Sequence, residues 1–110
     1  KIDEIEDKSF SNLGLLKYLD LSINNLSNFS LSCFIGLYRL ELLNLSHNSI
    51  ELINRNLFKE LHLLISLDLS FNKIKKVEDN SFISLFCLKS LHVNSNQIRH
   101  LISNNNTLNG

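Results

Sequence analysis

The sequence contains no proline, tryptophan or methionine, and only three glycines and two cysteines in 110 residues. With so little glycine, it holds no glycine-rich loop able to cradle a phosphate. Charge shows no excess of either sign. Eleven Lys and Arg stand against 11 Asp and Glu, a formal net charge of zero, which gives no general affinity for polyanions. Long apolar runs are missing too: Ser, Asn, Asp, His or Lys interrupts each one, and none approaches the roughly 20 residues that a membrane helix needs. At 44% hydrophobic and 20% charged residues, usage is otherwise that of an ordinary globular chain, and one small domain is expected. Lys1-Ile2-Asp3 opens the chain with neither a basic nor an apolar leader region. No signal peptide is read there; an excised internal fragment shows none either, so the compartment has to be inferred from other features.

What the chain does have is leucine, asparagine and serine in a fixed rhythm. Asn24, Asn48, Asn72 and Asn96 recur every 24 residues, and the segments around them align without a gap. Leu16 to Leu26, Leu40 to Ile50, Leu64 to Ile74 and Leu88 to Ile98 all fit L-x-x-L-x-L-x-x-N-x-L, with Val93 and the isoleucines as conservative exchanges. One match would mean little, since leucine is common; four in register do not arise by chance. The other half of each repeat keeps time as well. Phe29, Ile53, Val77 and Leu101 share one phase, Phe10, Phe34, Phe58 and Phe82 a second, and Leu13, Leu37, Leu61 and Leu85 a third.

This pattern is the leucine-rich repeat signature, and it resembles the 24-residue type of Toll-like receptor ectodomains and other animal extracellular proteins. It departs from the plant type, whose convex side carries Gly and Ile-Pro, because this chain has no proline. The resemblance implies an α/β-type leucine-rich repeat solenoid, right-handed, with a parallel β-ladder on its concave face and mostly loops and 3₁₀ turns on its convex face. The expected organisation is one array: a partial repeat over 1–15, then repeats 16–39, 40–63, 64–87 and 88–110. Ile2, Ile5, Phe10 and Leu13 continue the phase backwards, whereas Asn106 and Asn109 stand where the fifth Phe and Leu are due. With neither polar caps nor the cysteine-rich caps of extracellular relatives, the chain reads as an internal fragment of a longer ectodomain.

The spacing itself supports the shape. Leu19 and Leu21, Leu43 and Leu45, Leu67 and Leu69, and Leu91 and Val93 are two apart, the period of a strand. One short strand per repeat, always running the same way, pairs with its neighbours in parallel at roughly 4.8 Å per coil. Apolar columns then stack inward, each coil burying its side chains only against another coil. The Asn ladder of Asn24, Asn48, Asn72 and Asn96 sits where the chain leaves the strand, where an amide can satisfy buried backbone groups as both donor and acceptor. Cys33 and Cys87 lie two coils apart, at least roughly 10 Å on that spacing, beyond the roughly 7 Å reach of a disulfide. They are expected to be unpaired and to act as small, semi-buried hydrophobes.

Function has to sit on the outward positions. Across the four strands these form the columns Lys17, Glu41, Ile65 and Lys89; Tyr18, Leu42, Ser66 and Ser90; Asp20, Asn44, Asp68 and His92; and Ile23, His47, Phe71 and Ser95. Tyr18, Ile23, Leu42, Ile65 and Phe71 make an apolar patch flanked by Asp20 and Asp68, a composition suited to a protein interface. With His47 and His92 they are the candidate ligand-binding residues. Asp68 beside His92 invites an acid–imidazole contact that responds to pH. Beyond the strands, Asp3-Glu4, Ser27-Asn28, Glu51-Leu52, Lys75-Lys76 and Arg99-His100, together with Lys73, run from acidic to basic along one flank, a polarity able to orient a partner.

Four N-x-S/T triplets, at Asn25, Asn28, Asn44 and Asn105, are glycosylation candidates; the Asn44 triplet falls out of the repeat consensus itself. No nucleophile motif and no metal-ligand spacing is present, so neither catalysis, a cofactor nor a metal is expected. The resemblance implies a protein-binding scaffold at the cell surface or outside the cell, belonging to a Toll-like receptor of innate immunity, with a protein ligand or co-receptor as partner. Nucleic acid is not expected, and any membrane anchor lies outside this chain. An adhesion or matrix protein, a hormone-type receptor, or a spacer within the array would use the same repeats.

Overall fold

A computed structural model describes residues 1–29, 33–98 and 100–101, without the side chains of His100 and Leu101. Each signature segment becomes a three-residue strand: β1 Tyr18–Asp20, β2 Leu42–Asn44, β4 Ser66–Asp68 and β6 Ser90–His92. They form one parallel sheet in the order β1-β2-β4-β6. Its register is that of the repeat: Tyr18 faces Leu42, Leu42 faces Ser66 and Ser66 faces Ser90, with Asp20, Asn44, Asp68 and His92 aligned likewise. The hydrogen-bond ladder runs past the strands. Leu21, Leu45 and Leu69 N–H donate to the Asn44, Asp68 and His92 carbonyls at 2.8, 2.8 and 2.7 Å.

A second ladder appears that the sequence pattern does not announce. β3 Leu52–Ile53, β5 Lys76–Val77 and β7 His100–Leu101 pair in parallel, in the order β3-β5-β7. Two-residue strands have no alternation to reveal them, so only the shared phase of Ile53, Val77 and Leu101 hints at the pairing. No α-helix forms among the described residues, and the convex side is made of turns. Backbone bonds such as Leu57 N–H to Asn54 O at 3.2 Å and Leu61 N–H to Phe58 O at 3.1 Å link residues three apart, the 3₁₀ pattern in single turns.

The core is the set of inward columns. Leu43, Leu45, Leu67, Leu69, Leu64, Ile50, Ile53 and Phe58 are fully buried. Phe10, Phe34, Phe58 and Phe82 stack as a spine with centroid spacings of 6.2, 6.4 and 6.1 Å and interplanar angles of 13°, 15° and 12°. Leu13 departs from its column, at 44% exposure against 0% for Leu37 and 1% for Leu61. One glycine is demanded by the stacking. Gly36 has φ +96°, and a Cβ there would meet the Ser11 backbone at 2.6 Å, a contact that only glycine avoids.

Candidate functional site: the outer face of the strand ladder

The exits of the strands determine what the outer face can present. Asn72 accepts the Ile50 N–H on Oδ1 at 3.0 Å and donates from Nδ2 to the Leu45, Leu69 and Ser70 carbonyls at 3.0, 3.1 and 3.2 Å. Asn48 repeats this with Leu26, Leu21, Leu45 and Ser46, and Asn96 with Ile74, Leu69, Val93 and Asn94. Asn24 holds Ile2 N–H and its own turn. Every polar atom of the two buried amides is therefore spent on backbone that water cannot reach, and one amide ties two coils together.

The residue just before each Asn is forced into the left-handed region. Ile23, His47, Phe71 and Ser95 have φ of 58°, 56°, 55° and 59°, a conformation uncommon for any non-glycine residue and a true outlier for a β-branched one. Neighbouring coils hold it there. Ile23, His47 and Phe71 N–H donate to the Ser46, Ser70 and Asn94 carbonyls at 3.0, 3.1 and 3.1 Å. The side chains then stand on the outer face as a ridge. His47 lies flat on Phe71, with centroids 4.5 Å apart and planes at 6°.

One turn earlier, the acidic column is only partly free. Asp20 Oδ1 accepts both the N–H and the hydroxyl of Ser22, at 2.9 and 2.6 Å. Asn44 does the same with Ser46, and Asp68 with Ser70. The Ser22 hydroxyl, with its N–H behind it, holds the Asp20 carboxyl below its ordinary pKa. These residues thus close the strand ends as well as facing outward, a role visible in the sequence as Asp or Asn followed two places later by Ser. His92 lacks that serine and bonds Ser90 Oγ through Nε2 at 3.0 Å. The acid–imidazole contact anticipated for Asp68 and His92 is accordingly not formed: Asp68 is turned to Ser70 and His92 to Ser90.

Around this frame Tyr18, Ile23, Leu42, Ile65 and Phe71 are all exposed. The ladder therefore brings together the outward residues named from sequence, with Asp20 and Asp68 between two apolar rows. A second exposed column lies outside the strand pattern. Tyr38, His62 and Phe86 lie just upstream of the strands, with the His62 and Phe86 rings 5.0 Å apart; their shared 24-residue phase was the available signal. On the opposite flank Lys75 reaches Glu51 at 4.0 Å, so part of the charge gradient is paired. Arg99, the His100 side chain and Asn105 lie outside the described residues. Both cysteines are free, but only Cys33 is buried, its thiol pushed up to about 12 by desolvation; Cys87 is exposed.

The family model for leucine-rich repeats matches residues 1–50 and 39–98. The chain is a leucine-rich repeat protein. Its fold overlays on that of Toll in the Drosophila Toll–Spatzle complex with a TM-score of 0.81, at 29% identity over 84% of this chain and 13% of that one. TLR13, solved with an RNA named ssRNA13, gives a TM-score of 0.63 at 30% identity over 90% of this chain and 17% of that one. The leucine-rich repeat domain of APL1B gives 0.86 at 23% identity, over 91% of this chain and 29% of that one, and shows the shared fold alone. No curated protein matches the sequence. This leucine-rich repeat chain resembles Toll-like receptor ectodomain segments and spans less than a third of each of these structures. Among the described residues no helix is long and apolar enough to cross a membrane.

Proposed function

We propose that this leucine-rich repeat array is a non-catalytic, protein-binding segment of an extracellular receptor ectodomain of the Toll-like kind, acting in innate immune recognition. The observation that carries the reading is the outer ladder face. Solvent-exposed Tyr18, Ile23, Leu42 and Phe71 stand at 66%, 60%, 38% and 48% exposure on a backbone fixed by buried amides, which is a rigid apolar patch with a polar surround. Toll in its complex with Spatzle supports a protein as the ligand class. The charges on this face point the same way. Asp20, Asp68 and Glu41 outnumber Lys17 and Lys89, whereas a nucleic acid is held by an excess of cations along its phosphates.

Under this reading, repeats 16–39, 40–63, 64–87 and 88–110 are internal coils of a longer ectodomain. The test is alanine at Tyr18 and Phe71 in the full-length protein, with Spatzle and a single-stranded RNA as first probes. Loss of at least tenfold in affinity for the protein probe is expected. Unchanged affinity would make these coils a spacer, and preference for the RNA would move the ligand class.

A further inference from the structure

Three of the four glycosylation triplets begin within the described residues, and their surroundings differ. Asn44 closes β2 in the middle of the ladder, half-buried, with Asp20 and Asp68 as its Cα partners. Its Oδ1 accepts both the N–H and the hydroxyl of Ser46 at 3.0 and 2.7 Å, and Ser46 is itself buried. The hydroxyl that completes the triplet belongs to a buried residue and is already bonded to Asn44 itself. A sugar on Asn44 would also have to rise between neighbours roughly 4.8 Å away on each side, over the apolar patch.

Asn25 stands in the loop where the chain leaves the ladder. Its side chain is exposed, and its one hydrogen bond among the described residues is a long one, from Nδ2 to Asp3 Oδ1 at 3.4 Å. Leu26, the middle of the triplet, is fully buried and donates its N–H to Asn48 Oδ1 at 3.0 Å. The triplet is thereby pinned to the core through its central residue, with Asn25 left outside. Ser27 makes no side-chain hydrogen bond to any described residue. Asn28 is exposed as well, but its Ser30 lies outside the described residues.

We propose that Asn25 is an acceptor for an N-linked oligosaccharide and that Asn44 is not. The inference rests on the extracellular reading, since the donor is a lipid-linked diphosphate oligosaccharide of the secretory membrane. Asn25 Nδ2 bonds to the anomeric carbon of the sugar as the carbon–oxygen bond to the diphosphate breaks. The diphosphate leaves with the electron pair, and the amide gives up one proton. A bulky, hydrated group at Asn25 would stand two residues beyond Ile23, beside that end of the ridge.

The test is expression of the full-length chain behind a foreign secretory signal in animal cells, followed by mass spectrometry of the peptides carrying each triplet. Asn25 occupied, one glycan lost in both Asn25→Gln and Ser27→Ala, and no change in Asn44→Gln are expected. A glycan on Asn44, or a bare Asn25 in the secreted protein, would overturn the assignment. Protein from its natural source reads the other question. If it is free of sugar at every triplet while the signal-bearing protein is modified at Asn25, the extracellular reading fails and the site assignment stands.

Discussion

The two faces of the same short strands obey different rules. Inward, Leu19, Leu43, Leu67 and Leu91 repeat one residue through four coils; outward, in the same register, stand Tyr18, Leu42, Ser66 and Ser90. The inner column is repetitive because each leucine packs on its own equivalent one coil away, so any change in volume is felt by two neighbours. The outer column meets solvent and carries no such constraint. What the fold needs is periodic, and under the proposed function a ligand reads the positions where the period lapses.

The largest effect should come from breaking the inner face. Leu69→Ala removes a fully buried side chain between two coils, and urea unfolding should show a loss of about 2–5 kcal/mol; a loss well under about 1 kcal/mol would contradict the inward phase. Next comes the strand exit. Asn72→Ala strips the buried Ile50 N–H of its acceptor and three carbonyls of a donor, which should cost about 1–3 kcal/mol in the same measurement. Smallest is Asp20→Asn on the outer face. Asn44 already performs the Asp20 role in the next coil, so stability at neutral pH should change little. The pH dependence should change instead. A carboxyl held below its ordinary pKa stabilises the fold above the unfolded-state value and loses that contribution as pH falls through the folded one. Acid titration of unfolding should therefore lose that component in Asp20→Asn.

The same division decides what the sequence makes legible. Strand register, the inward columns and the asparagine ladder follow from the 24-residue period, because stacking admits one alignment of identical coils. The second ladder was not legible, since Leu52–Ile53 and Lys76–Val77 are too short to show a period of two. The left-handed residues were also hidden. Glycine or asparagine normally flags that backbone, yet this chain places Ile23, His47 and Phe71 there. Cys87 shows the limit of residue type as a guide: it occupies the phase of exposed Leu15 and Leu63 and is exposed like them, against the expectation of semi-burial.

In the proposed binding role, those left-handed residues give up folding stability to hold side chains on the outer face. Ile23 is 60% exposed at φ 58°, where a β-branched side chain costs about 1–2 kcal/mol and asparagine costs less. The measurement is Ile23→Asn in the full-length protein, with the unfolding free energy and the affinity for the protein probe of the proposed function read on the same preparation. Opposite signs are expected, with stability up by about 1 kcal/mol and affinity down. A variant that is more stable and binds as tightly as before would show that the ridge is not part of the recognition surface.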